Sequence, residues 1–370
     1  MNKQKFLMLD GLRGMAALLV LIRHSPGLWG SFNFYHSYLA VDLFFALSGF
    51  VIAHAYESKL LDQSMSFRGF STTRIIRLYP MFLISLALVL PIHLFKVWTN
   101  TSLLGMHSAG ILLTALLTAF FIPSNFGSTN SLFALNGPYW SLLFELIVNF
   151  LYGFFAKHMS ARTLTAILVS SGLILTACGI GHHDLNVGYE FDLISIAAGL
   201  SRAVFGFTFG IVLYRKFQSA PSINTHPLLA WFFAILAISA LLAPSFGNLD
   251  YIYDLLTIML LFPVAIFIGA KYRERLTWEA KTLDELGALS YPIYVLHMPM
   301  IMGIGFIVKK FGTYLPTPVP ALLLVTGTFL VARLLTYRID IPLRRKLTAR
   351  FFTAATKINP GQVARPVPRA

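Results

Sequence analysis

A single cysteine, Cys178, in 370 residues excludes an intramolecular disulfide and any cysteine-built metal site. Charge is nearly as scarce: 12% of the residues are Asp, Glu, Lys or Arg, about half of the roughly 25% carried by a soluble domain. Acidic groups are the scarcer sign, 15 against 29 basic ones. No GxxxxGK[ST] phosphate loop, dinucleotide-binding GxGxxG or HExxH pair occurs, and the ten histidines show no metal-ligand spacing. His182 and His183, beside Asp184, read as a solvated turn. NTPases, nucleotide-dependent oxidoreductases and zinc hydrolases thus lack their signatures, and no metal or permanently bound cofactor is expected. The chain has no visible internal repeat, which weighs against an inverted-repeat transporter.

What the chain has is apolar length. It is 56% hydrophobic with a mean hydropathy of +0.71, and runs long enough to cross a bilayer recur at 6–27, 39–56, 78–97, 138–156, 163–181, 191–214, 226–243, 250–269, 287–308 and 318–337. Open backbone cannot cross lipid and these runs lack strand alternation, so the pattern predicts an all-α polytopic protein of about ten transmembrane helices. Asp10 and Arg13 interrupt the first run, which argues against a cleavable signal. With the N-terminus inside, 22 of the 29 Lys and Arg fall in inner segments. That skew predicts both termini in the cytoplasm of a multi-pass cell (inner) membrane protein, and it accounts for the +14 charge without nucleic acid. Counting ILLTALLTAFFIP (111–123) as an eleventh span would reverse the skew, so it reads as a re-entrant or outer-surface helix. Residues 1–346 form the integral-membrane domain, and 347–370 read as a disordered basic cytoplasmic tail.

Polar groups inside such spans are costly and by default suggest function. Arg13 and His24 are eleven residues apart, so they share one face of one helix, roughly 16 Å apart along its axis. Snorkelling of Arg13 and an interfacial His24 form the competing reading. Asp42 opens the second span at about the depth of His24, where a carboxylate would fix the imidazole or simply favour a helix N-terminus. Glu145, one turn after Ser141 in PYWSLLFE, lies about 10 Å below the outer surface. Arg74 and Arg77 (RIIR) share a face and, with Arg13, make a basic cluster suited to phosphates or to anionic lipid headgroups. Arg202 falls near the midplane of its span and should line the bundle interior.

These features together resemble the membrane-bound acyltransferase 3 family: Arg13–x10–His24, VDLFFALSGFVI, RIIRLYP, WSLLFE, LGALSYPIYVLH (286–297) and YRIDIPLRR (337–345), in order over about residues 6–346. Many members carry Glu where this chain has Asp340, before Ile341 and Pro342. The resemblance implies O-acylation of envelope sugars or related acceptors, with acyl-CoA (acetyl-CoA foremost) as the cytoplasmic donor. It implies a catalytic His24, and Arg13, Arg74 and Arg77 needed for donor use.

The expected site is therefore His24, Asp42 and Glu145 for chemistry and Arg13, Arg74, Arg77 and Arg202 for the donor. Asp42 is favoured over Glu145 as the group that orients His24. The imidazole would act as general base or as acyl-carrying nucleophile. Expected partners are acyl-CoA, a carbohydrate or lipid-linked acceptor and membrane lipids. The rival reading is a transporter with Arg202, Glu145 and His24 along a solute path.

Overall fold

In lipid, a backbone segment must satisfy its own hydrogen bonds, and every expected span is helical. The computed structural model describes residues 4–30, 32, 34–124, 126–127, 129–221, 224–273, 276–311 and 318–358. In chain order the helices are α1 (Leu7–Arg23), α2 (Ala40–Leu61), α3 (Phe67–Trp98), α4 (Ser108–Ala119), α5 (Tyr139–Phe155), α6 (Ala161–His182) and α7 (Leu193–Ser219). There follow α8 (Pro227–Ala240), α9 (Asp250–Leu256), α10 (Phe262–Ala270), α11 (Thr277–Phe311), α12 (Pro318–Leu335) and α13 (Ile341–Ile358). Among the described residues there is no β-strand, only isolated bridges such as Ser131 to Glu190.

Among the described residues, eight helical stretches are long and apolar enough to cross a membrane. Two of the ten expected spans are shorter: α1 has 17 residues and α8 has 14, about 26 and 21 Å at 1.5 Å per residue. At 12 residues, the α4 helix from the 111–123 stretch covers only about 18 Å and packs on α3. The α13 helix runs to Ile358, past Lys346 where composition pointed to disorder. It starts from an Arg344–Asp340 pair at 2.6 Å, one turn apart. The remainder of that tail, 359–370, lies outside the described residues.

Glycines set the two closest helix contacts. A Cβ on Gly14 would lie 2.7 Å from the Leu286 carbonyl oxygen, and one on Gly11 2.3 Å from the Leu283 side chain. The α1 and α11 helices therefore touch backbone to backbone. They run parallel, each α1 residue facing a partner about 272 positions later, a register that brings His297 to His24. A Cβ on Gly49 would sit 2.0 Å from the Phe207 carbonyl oxygen, and this contact holds α2 along α7, again parallel. Asp42 pairs with Arg202 at one end of that contact and Glu57 with Arg215 at the other.

The segment before α2 is fixed by His36, whose Nδ1 lies 2.8 Å from Asp254 Oδ1 and whose Nε2 lies 3.4 Å from Asp250 Oδ1. Tyr38 donates to the other Asp254 oxygen at 2.6 Å. This buried cluster ties Tyr35, Ser37 and Tyr38, all part of a cavity wall, to α9.

Candidate active site

His24 caps the C-terminus of α1, and its Nδ1 lies 2.8 Å from the Val20 carbonyl oxygen. A carbonyl only accepts, so Nδ1 carries the proton and Nε2 of the neutral ring keeps its lone pair. The side chain is exposed to a cavity of about 500 Å³ whose wall includes Arg23, Tyr35, Tyr38, Trp140 and Tyr189. Burial, with Glu190 and Asp184 adding to it, pushes the Tyr189 phenol up, so it remains a neutral hydroxyl. The chemistry available here is an oriented imidazole base facing an aromatic hollow with arginine in its wall.

The ring of His297 stands 4.9 Å from that of His24, centre to centre. His297 is fully buried; its Nδ1 lies 2.5 Å from the Tyr294 carbonyl oxygen, and its Nε2 has no partner among the described residues. An orphaned buried lone pair requires a reason. Pro299 helps to fix the ring. Lacking an N–H, it cannot bond the carbonyl four residues back, and the freed Val295 oxygen accepts from Ser85 Oγ at 2.5 Å and Asn136 Nδ2 at 3.4 Å. The turn carrying His297 is thereby anchored to α3. The signal for His297 was the terminal histidine of LGALSYPIYVLH, but the parallel α1–α11 register that brings it to His24 was not readable.

Asp42 and Arg202 are 3% and 1% exposed and hold one another. Arg202 Nε donates to Asp42 Oδ1 at 3.0 Å and Nη2 to Oδ2 at 2.5 Å. The remaining bonds go to the Val187 carbonyl at 2.7 Å and the Tyr38 carbonyl at 3.1 Å. Trp140 lies under the guanidinium at 5.4 Å. Arg202 is thus a wall of the His24 cavity with four of its five donors engaged. The partner expected of Asp42 was His24; the structure gives it Arg202, and gives His24 the Val20 carbonyl.

A second cavity, about 140 Å³, lies toward the other end of α1 and is lined by Arg13, Ser48, Arg74, Arg77 and Glu145 among others. Arg77 is exposed and forms no ion pair among the described residues. Glu145 Oε1 accepts from Ser48 Oγ at 2.8 Å and lies 3.6 Å from Arg74 Nη2; Arg74 Nε is buried without a partner among the described residues. Arg13 reaches Asp10 only at 3.5 Å. Three arginines share one hollow with too few carboxylates to neutralise them, which is the make-up of a polyanion site. Val41 and Tyr294 line both cavities, so one layer of side chains divides the basic hollow from the one holding His24. Tyr294 is held by Ser141 at 2.6 Å.

The structure therefore brings together Arg13, Arg74, Arg77 and Glu145, and separates from them His24, Arg202 and Asp42. Glu145 and His24 belong to different hollows, so the three residues of a supposed solute path do not line one cavity.

Comparison with known proteins bears on this arrangement. A family model described as an acyltransferase domain, acyltransferase 3, matches residues 6–337. A Rhizobium radiobacter protein named "Protein 2 in picA locus" is 38% identical over 179 residues, covering 46% of this chain and 93% of the relative. "Putative acetyltransferase ORF330" of Acidianus two-tailed virus is 23% identical over 307 residues, covering 80% of this chain and 83% of the relative. No solved structure matches the chain.

Proposed function

Because the chain belongs to the acyltransferase 3 family, a family of membrane acyltransferases, we propose that it moves an acetyl group from cytoplasmic acetyl-CoA to a hydroxyl of an envelope carbohydrate or lipid-linked precursor. The observation that carries this reading is the pair of cavities meeting at Val41 and Tyr294, one basic and one holding an oriented imidazole. Arg13, Arg74 and Arg77 bind the coenzyme A phosphates. The pantetheine arm then spans the roughly 16 Å to His24. The name of the viral relative, an acetyltransferase, supports acetyl as the group moved.

His24 Nε2 takes the proton of the acceptor hydroxyl as its oxygen attacks the thioester carbon. The carbon–sulfur bond breaks, and the proton passes from His24 to the departing thiolate. While His24 is charged, the ring of His297, 4.9 Å away centre to centre, keeps a lone pair on an Nε2 that has no partner among the described residues. Asp42 acts at a distance by holding Arg202 and the cavity wall, and Glu145 holds Arg74 and Ser48.

The test is acetyl-CoA kinetics of the purified protein in nanodiscs. Each well-formed guanidinium–phosphate bond contributes about 1.5–3 kcal/mol, so Arg74→Gln with Arg77→Gln should raise the KM for acetyl-CoA at least about tenfold while kcat falls far less. An unchanged KM together with a lost membrane level would instead make the cluster a lipid contact.

A further inference from the structure

Arg23 runs against the charge pattern of its chain. Of the 29 Lys and Arg, 22 lie in segments read as cytoplasmic, yet Arg23 ends α1 at the opposite face, beside His24. It does not reach out to headgroups. Its Nη1 donates to the Tyr35 carbonyl at 2.6 Å and its guanidinium lies 4.9 Å from the centre of the Tyr38 ring, which turns it over the His24 cavity that it lines.

No carboxylate forms an ion pair with Arg23 among the described residues. Asp184 is nearby but accepts from Tyr35 at 3.2 Å and from the Asn186 amide at 3.0 Å. The other cation of the wall, Arg202, is spent on Asp42 and two carbonyls. A half-buried guanidinium with most of its five donors unused among the described residues, facing a cavity whose other cation is already paired, needs a counter-charge from the ligand. Its planar fork matches a carboxylate or a phosphate.

Resting on the acyl-transfer reading above, we propose that Arg23 is an anion subsite of the acceptor cavity. The acceptor then carries a carboxylate or phosphate on, or next to, the sugar whose hydroxyl is acylated. A cavity of about 500 Å³ is of a size to take both groups together. The anion also serves the chemistry. Bound at Arg23, it offsets that cation's field at the moment the adjacent His24 becomes positive.

The test is mass-spectrometric mapping of O-acetyl esters on the envelope glycans of cells lacking the gene. These cells are complemented with wild type, Arg23→Gln, Arg23→Lys or His24→Ala at matched membrane levels. Esters that depend on His24 should lie on or beside a carboxylated or phosphorylated sugar. Arg23→Gln should lower them at least tenfold and Arg23→Lys should restore part of the loss, with acetyl-CoA binding by the purified variants retained. Carbodiimide-assisted carboxyl reduction and ³¹P NMR of the glycan distinguish a carboxylate from a phosphate. His24-dependent esters on a repeat with no acidic group, or wild-type esters in Arg23→Gln, overturn the subsite. No His24-dependent ester together with no turnover of acetyl-CoA overturns the acyl-transfer reading itself and the subsite with it.

Discussion

Asp42 and Arg202 are tolerable inside the bundle only because each neutralises the other. Removing one partner of a buried pair costs about 3–5 kcal/mol, whereas removing both charges together costs much less. Asp42→Asn and Arg202→Gln should each lower the thermal unfolding midpoint in detergent sharply, and the double substitution should recover part of the loss. Additive losses would mean that the two side chains act independently. His297 predicts a different signature. His297→Phe keeps a ring but removes the lone pair, so kcat should fall about tenfold or more with the KM for acetyl-CoA within about twofold. The acid limb of the kcat–pH profile should move to lower pH, because charged His24 loses the lone pair of the ring beside it. A lowered kcat with an unmoved profile would reduce His297 to packing. At this scale the sequence was legible where spacing lay within one helix: Arg13 with His24, and Arg74 with Arg77. It was not legible where partners came from different helices. Asp42 lies near His24 in depth, but a parallel helix 160 positions later supplies the cation that claims it.

Helices here owe their positions to glycines and prolines as much as to apolar faces. Gly49 meets the Phe207 backbone so closely that a side chain must push α2 from α7. Gly49→Val should cost more than the about 1–3 kcal/mol of ordinary overpacking and lose monodisperse protein on size exclusion. Gly303→Ala, with nothing among the described residues within 4 Å of its Cβ position, should leave the protein unchanged. Prolines leave a second mark. The π turns Thr257–Leu261 and Thr336–Asp340 each end two residues before a proline, Pro263 and Pro342. A missing N–H and a clashing ring move the local ladder from the i+4 to the i+5 partner. The periodicity of the runs gave the existence of these helices but not such offsets. Likewise α11 extends well before its apolar run, since Asp284 and Glu285 are helical residues that no hydropathy pattern includes, whereas the shared face of Arg74 and Arg77 already carried helix ahead of the run at 78–97.

Across the whole molecule, the parallel pairings of α1 with α11 and α2 with α7 agree with the directions that ten spans would give them. Sidedness follows from the charge skew and has a simple check, because replacing Cys178 leaves a cysteine-free chain. A cysteine at Ser64 should react with impermeant maleimide only from the cytoplasmic side, and one at Asn186 only from outside. The reverse pattern would put the basic cavity on the face away from coenzyme A. The central claim is that His24 carries the chemistry of acyl transfer. It is tested most directly by release of free coenzyme A thiol from acetyl-CoA by the purified protein in nanodiscs with its glycan acceptor, wild type against His24→Ala at equal thermal stability. The account predicts acceptor-dependent release by the wild type and a loss of about a thousandfold or more in the variant, with acetyl-CoA binding retained. A His24→Ala protein that turns over acetyl-CoA at a tenth or more of the wild-type rate would contradict it.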